Sequence, residues 1–424
     1  MPVEWIEADG PEGLWRLSGR VLARPAAGLC LLGEDTHRIQ VQGPALDAVE
    51  EGDLVQIRAV IDPSPAQVVL PVDAAFPAYR AVSAEVVFRP SRPPTQLGSE
   101  TRRFVTDGQR ARLHLRAQVL QRVRDFFRTH GFLEVETPSV VESPGLDTHL
   151  SAFPVLGAQG GGLLGLPKQV GYLITSPEYC LKRLLVGGVS RCFELARCFR
   201  AGELGARHQP EFTLCEWYRA WGSLEEVLQD AEGLVRAASA AGQTPGRVVT
   251  ASGSVSLAGR FPRMTVREAF ARWAPDAGDP IALAGSDEGA YFEALTRRIE
   301  PNLGLLAPTF LTEVPACHAS LARVSARDPA VCERAELYIA GVELSNGFQE
   351  LTDPAEQRAR FEADQARRSA LGLPVYPVDE AFLGALEEGL PPSAGMALGV
   401  DRLVALVGGR GDIADVQAFP RQPR

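Results

Sequence analysis

The sequence predicts an α+β fold, an antiparallel sheet flanked by helices, with a small all-β domain at the amino terminus. Three observations lead there. The first 88 or so residues hold short β-prone runs separated by Gly, Pro and acidic residues. From Glu178 onward, strand-like and helix-like segments mix in an order unlike βαβ alternation, which argues against a doubly wound sheet. Two pairs of alternating runs, RCFELARCFR with EFTLCEWYRA and AELYIAG with VELSNGFQEL, read as strands and their return strands.

Residues 1–88 are expected to form the small β-rich domain. WRLSGRVLARP, GLCLLGEDTHRIQVQG and EEGDLVQIRAVI are strand-like, and their number and Gly-containing turns suggest a small barrel of the oligonucleotide/oligosaccharide-binding type. Such barrels hold bases on surface aromatics over a basic groove. This segment offers only Trp5, Trp15, Phe76, Tyr79 and Phe88 and no basic cluster, so nucleic-acid binding is not expected of it. Residues 89–105, within the Pro-rich stretch FRPSRPPTQLGSE and its sequel, read as a linker. The remainder, 106–424, is expected to be one catalytic domain. It opens on a helix in which Leu113, Leu115, Val119, Leu120, Val123, Phe126 and Phe127 recur at helical spacing and Gly131 is the stop. FLEVETPSVV then reads as an alternating strand ending at Pro138.

Composition narrows the function. The 424 residues are 45% hydrophobic and 23% charged, ordinary for a soluble enzyme, and the net charge of −10 argues against a broad electrostatic grip on nucleic acid. The start MPVEWIEADG lacks a signal pattern, no apolar run is long enough for a membrane helix, and seven scattered cysteines suit a reducing compartment, so a cytoplasmic location is expected. Lysine occurs only at Lys168 and Lys182, which reads as a compositional preference for arginine.

Three places carry chemistry. In FRAGELGARHQPEFTLCEWYRA, two strands flank a Gly- and Pro-containing loop. Period-two alternation puts Phe212, Leu214, Glu216 and Tyr218 on one face, a site wall of flat and hydrogen-bonding groups rather than an oily layer. In ERAELYIAGVELSNGFQELTD, a tight turn at Gly341 joins two strands; Asn346, Phe348 and Glu350 align, and Glu336 and Glu343 sit on facing arms. Converging carboxylates need a cation, either Mg²⁺ or a cationic substrate. In GMALGVDRLVALVGG, a strand of small residues runs into an apolar helix with Arg402 near its start, where a guanidinium can stack on a base or bind phosphate.

The Pro138 helix–strand, the FR…loop…EF strand pair and the GVDR strand–helix resemble motifs 1, 2 and 3 of the class II aminoacyl-tRNA synthetases, from about residue 100 to the end. LITSPEYCLKRLL, HQPEFTLCEWYRA, ELSNGFQELTD and ALGVDRL are similar to the lysyl branch, and most of all to the paralogues in it that acylate a protein, elongation factor P, instead of tRNA. The resemblance implies a class II synthetase-like domain that joins a lysine carboxylate to the α-phosphate of ATP. Arg200 would hold the α-phosphate and the substrate carboxylate, Phe212 would stack on adenine with Arg402 on its other side, and Arg207 and His208 would meet the outer phosphates. Glu336 and Glu343 would bind Mg²⁺. Ser176, Glu178, Glu216, Tyr218, Asn346, Phe348, Glu350 and Ala397 would form the amino acid pocket. Motif 1 implies a homodimer.

Two positions favour the protein-acylating branch. Ala397 stands where lysyl-tRNA synthetases carry Gly, which implies (R)-β-lysine over α-lysine, and Ser176 stands where they carry Ala. The sequence also departs from the pattern. FRAGE puts Gly202 where FRNE has its acid and moves the carboxylate to Glu203, so an ATP contact from Glu203 is an expectation of its own. Gln209 replaces the usual Asn. An amino-terminal barrel belongs to the tRNA enzymes rather than to the ligases. The expected function is therefore ATP-dependent activation of a lysine and its transfer to a lysine side chain of elongation factor P, with a compact lysyl-tRNA synthetase as the alternative.

Overall fold

The computed structural model describes residues 6–8, 13–34, 37–62, 77–91, 94, 100–105, 107–157, 168–251 and 253–421. Trp5, Phe76 and most of the Pro-rich stretch expected as a linker lie outside the described residues. The chain forms two compact units, Met1–His114 and Leu115–Arg424.

In the first unit the strands are β1 (Ile6–Ala8), β2 (Leu14–Ala26), β3 (Leu29–Glu34), β4 (His37–Gln42), β5 (Leu54–Ile61) and β6 (Tyr79–Phe88). They hydrogen-bond in the order β1-β2-β3-β4-β6-β5, and β5 also pairs with β2, so β2 to β6 close on themselves. Only β4 with β6 is parallel; the other pairs are antiparallel. This is the five-stranded barrel with oligonucleotide-binding topology. Alternation fills it: Val55, Ile57 and Ala59 of β5 point in with Leu17, Val21 and Ile39, while Gln56 and Arg58 point out. Of the described aromatics on these strands, Tyr79 is buried edge-on to the half-buried Trp15, and Phe88 alone is exposed. Arg16 pairs with Glu7, and Arg89 with Asp53 and Glu50. A stacking platform of exposed aromatics is not found among the described residues of these strands.

In the second unit the strands in chain order are β7 (Leu133–Glu134), β8 (Val140–Val141), β9 (Pro154–Gly157), β10 (Lys168–Leu173), β11 (Arg191–Phe199), β12 (Glu211–Ala220), β13 (Arg247–Thr250), β14 (Gly253–Ser256), β15 (Arg263–Thr265), β16 (Thr309–Pro315), β17 (Val331–Ile339), β18 (Val342–Gln349) and β19 (Ser393–Gly399). Eight form one sheet in the order β15-β16-β17-β18-β19-β12-β11-β7. Its six central strands are antiparallel, and the two edge pairings are parallel. This is the expected α+β arrangement.

Period two divides the sheet into two chemistries. Phe193, Cys215, Trp217, Ala335, Leu337, Met396 and Leu398 pack beneath the helices Gln109–Thr129, Leu224–Ser239 and Val400–Val407. Val119, Val123, Phe126 and Phe127 are the buried stripe of the first of these, and Gly131, with φ 75°, ends it. The alternate residues Ala196, Cys198, Phe212, Leu214 and Ala397 face the other way, toward the site.

One expected strand is far shorter than its pattern. In FLEVETPSVV only Leu133–Glu134 pairs within the main sheet. The next turn is held by a side chain instead: the amide and hydroxyl of Thr137 donate to the Glu194 carboxylate at 3.1 and 2.9 Å.

Candidate active site

The β17–β18 hairpin turns on Ala340 and Gly341, with φ 52° and 73°. Two successive positive φ values mark a type I′ turn, whose twist suits tight antiparallel strands. A bulge next to Leu337/Tyr338 shifts the register, so that Glu336 faces Asn346 and Tyr338 faces Glu343. Glu343 and Asn346, three apart in sequence, therefore share a sheet face.

The ladders carry that face across five strands. Glu336 is opposite Asn346, Asn346 opposite Ala397, Ala397 opposite Glu216, and Glu216 opposite Glu194. A second row runs Arg334, Phe348, Gly395, Tyr218, Cys192. A Cβ on Gly395 would stand 2.2 Å from the Tyr218 ring, so only Gly leaves that ring its place.

Beside the first row lies a cavity of about 200 Å³, lined by Arg200, Glu203, Arg207, His208, Phe212, Glu343, Asn346, Ala397 and Arg402 among others. The Arg200 guanidinium lies 5.0 Å from the centre of the Phe212 ring, a cation–π contact. Its backbone amide donates to Pro210, which folds the 201–210 loop back on itself. Arg207 donates to the Gly341 carbonyl at 2.9 Å. Arg402 donates to the Glu343 backbone at 2.8 Å and to its carboxylate at 3.2 Å, and meets His208 Nε2 at 2.8 Å. Burial, and then the Arg402 charge, hold His208 below the ordinary imidazole range, so its ring is the acceptor of that contact. The cavity thus combines an aromatic face with guanidinium groups, the set a nucleoside phosphate requires.

Beside it, Glu216 is fully buried and fixed at both oxygens. Tyr218 donates to one at 2.6 Å and Ser176 to the other at 2.7 Å. Burial, reinforced by the Glu178 charge, pushes its carboxyl up to about 8. Ser176 also accepts from the Glu178 amide at 3.1 Å, at the start of the helix Glu178–Val186.

Glu178, Phe348 and Glu350 meet at a group that sequence reasoning had passed over. The Lys182 ammonium lies 2.6 Å from Glu178, 2.5 Å from Glu350 and 5.2 Å from the centre of the Phe348 ring. Lys182 and Glu350 are both buried, and Glu350 is raised to about 8, chiefly by that burial. Two carboxylates expected to wait for a substrate already share an internal cation. The signal was available: one of only two lysines in the chain sits one helical turn after Glu178.

Glu336 does not line the cavity that holds Glu343. It borders a larger one of about 540 Å³, with Arg334, His149, His318 and Asp364. Arg334 donates to it at 2.8 Å and Tyr338 at 2.9 Å. Glu300, also missed, approaches the same Tyr338 hydroxyl at 3.4 Å. Its carboxyl is pushed up to about 7 by burial and by the charges of Glu343 and Glu336. Mutually repelling carboxylates of this kind suit a hard divalent ion. Among the described residues no group of three or more His, Cys, Asp or Glu side chains could hold a metal alone. Mg²⁺ does not need one, since it commonly uses one or two carboxylates together with substrate phosphates and water. Among the same residues no helix is long and apolar enough to cross a membrane.

Residues 93–423 match the family of tRNA synthetases class II (D, K and N). The chain is 40% identical over 330 residues to an elongation factor P–(R)-β-lysine ligase of Proteus mirabilis, covering 73% of this chain and 95% of that one. Ligases of the same name from Photorhabdus laumondii and Salmonella gallinarum are 38% and 39% identical, each match covering 76% of this chain and 98% of the relative. The chain belongs to the class II tRNA synthetase family, alongside the elongation factor P–(R)-β-lysine ligases.

Proposed function

We propose that the protein activates a lysine, (R)-β-lysine in preference to α-lysine, as its adenylate and transfers it to a lysine side chain of elongation factor P. The observation that carries this reading is the row Glu336–Asn346–Ala397–Glu216, which sets a methyl between a buried carboxylate and a carboxamide beside the Arg200–Phe212 cavity. The names of the relatives support the same acceptor and the same amino acid.

In the first step a substrate carboxylate oxygen attacks the α-phosphorus of ATP and the bond to pyrophosphate breaks. Arg200 would hold the α-phosphate and the carboxylate, Phe212 and Arg402 the adenine, and Arg207 and His208 the outer phosphates, while Glu203 lines the same cavity. Mg²⁺ bound with ATP, held through Glu336 and Glu343, would neutralise phosphate charge. In the second step a lysine ε-amine, having lost its proton, attacks the acyl carbonyl and AMP leaves. Ser176, Glu178, Glu216, Tyr218, Asn346, Phe348 and Glu350 are the amino acid pocket of this reading, and the active species is a homodimer.

The barrel is the one feature that favours a tRNA synthetase. The deciding experiment offers unmodified elongation factor P and tRNA together, with ATP, Mg²⁺ and labelled (R)-β-lysine or α-lysine. Label on the protein factor is the expected result. Label on tRNA means a compact lysyl-tRNA synthetase, and no ATP–pyrophosphate exchange with any lysine isomer means a paralogue without catalysis.

A further inference from the structure

We propose that Lys182 is a fixed internal counter-ion that sets the charge of the amino acid pocket to match a doubly cationic substrate. The inference rests on the lysine-activating reading above. The carboxylates of Glu178, Glu216 and Glu350 bring three formal negative charges close together; Glu216 and Glu350 are each 1% exposed and the Glu178 side chain 18%. A lysine brings only two ammonium groups. Three carboxylates facing it unaided would leave one buried charge unpaired, which is costly. Lys182 removes that excess, leaving two negative charges for two positive ones.

The geometry makes Lys182 a permanent part of the pocket. It is 1% exposed and stands on the helix Glu178–Val186 between the buried Leu181 and Leu185. Its ammonium bridges that helix to Glu350, whose amide is bonded to Ser393, and lies 5.2 and 5.8 Å from the centres of the Phe348 and Phe382 rings. Glu178 and Glu350 come from elements far apart in sequence, and a shared cation is what holds like charges together. Glu216, by contrast, is fixed by two neutral hydroxyls and stays available. Both Glu350 oxygens are buried without a regular hydrogen bond, and Oε2 is held by the ion pair with Lys182. Lys182 is therefore a positioning residue, and the proposal concerns charge as well as place.

The test is a charge-compensation cycle on the full chain, read by lysine-dependent ATP–pyrophosphate exchange. K182M leaves three carboxylates, E350Q leaves one net negative charge, and K182M/E350Q returns the pocket to two. Without the Lys182 charge the buried carboxyls hold their protons more firmly, so K182M is expected to raise KM for lysine about tenfold or more near pH 7, with kcat within about threefold. The double variant is expected to bind lysine several-fold more tightly than either single one. A structural prop would couple the two substitutions in stability, so the same cycle is read by urea unfolding, and coupling there without coupling in KM overturns the proposal. An additive cycle, or an unchanged KM in K182M, overturns the proposal. If K182M does not fold, E350Q against the double variant decides by itself, because the double variant removes both partners of the pair. Wild-type protein that exchanges with no lysine isomer would sink the lysine-activating reading, whereas active wild type with an additive cycle sinks only the role of Lys182.

Discussion

Ala397 and Glu216 are direct cross-strand partners, and Asn346 flanks Ala397 on its other side. A methyl on that face projects between the carboxylate and the carboxamide of the proposed amino acid pocket. Ala397→Gly removes it without touching a hydrogen bond. One methyl group separates substrates by roughly 1–3 kcal/mol. The variant is expected to raise kcat/KM for α-lysine about tenfold, measured by ATP–pyrophosphate exchange alongside (R)-β-lysine. No change in α-lysine activation would show that this methyl does not set specificity.

Phe212 tests the nucleotide half of the site. Its ring shares a cavity with Arg402 and already carries the Arg200 guanidinium on one face. Base–aromatic stacking contributes about 1–3 kcal/mol, so Phe212→Ala should raise KM for ATP roughly tenfold. The lysine KM should move much less, because Glu216 and Tyr218 lie farther along the strand. Equal effects on both substrates would contradict the division of the strand between nucleotide and amino acid.

What could be read from the sequence follows from what is local. Alternation within β11 and β12 assigned Phe212, Glu216 and Tyr218 to one face because period two is a property of the strand itself. The turn at Gly341 was readable for the same reason. The spacing of Lys182 one helical turn after Glu178 was readable too, but its contact with Glu350 was not, since Glu350 lies in another element and only folding brings them together. Glu300 escaped similarly, because it reaches Tyr338 from another element, and nothing in the one-dimensional pattern marks the bulge that sets Glu343 and Asn346 on one face. The strand expected up to Pro138 gives way to a turn where Glu194, 57 residues on, accepts from Thr137. Barrel closure depends on the parallel β4–β6 pair, which joins segments that local pattern treats as unrelated.

Asp401 locks the strand–helix junction on which Arg402 stands. Its two oxygens accept from Arg116 at 2.7 Å and from the Thr213 amide at 2.8 Å, and its side chain is 3% exposed. Arg116 also donates to the Thr213 hydroxyl at 2.9 Å. Removing one partner of a buried ion pair strands the other, at a cost of about 3–5 kcal/mol. Asp401→Ala should therefore destabilise the protein by roughly 3 kcal/mol in urea unfolding. Arg116→Met with Asp401→Asn should lose less than the single Ala variant. Wild-type stability in Asp401→Ala would mean that the pair is not a structural lock.

Glu216 and Glu350 give the pocket a pH dependence with a definite sign. Both carboxyls are raised from 4.5 to about 8, each mainly by burial. Between those values the folded protein holds protons that the unfolded chain has released, so these groups favour folding most at low pH. Their contribution is lost as pH rises through about 8. A lysine acts in the opposite sense. Its ammonium groups favour the ionised carboxylates, and entry of the substrate expels the protons that the empty pocket keeps. KM for lysine should therefore fall at least about tenfold from pH 6 to pH 8, while KM for ATP changes little. Calorimetric titration in buffers of different ionisation enthalpy should show protons released as lysine binds at pH 7. A flat lysine KM over that range, or proton uptake, would mean that these two carboxyls do not receive the ammonium groups.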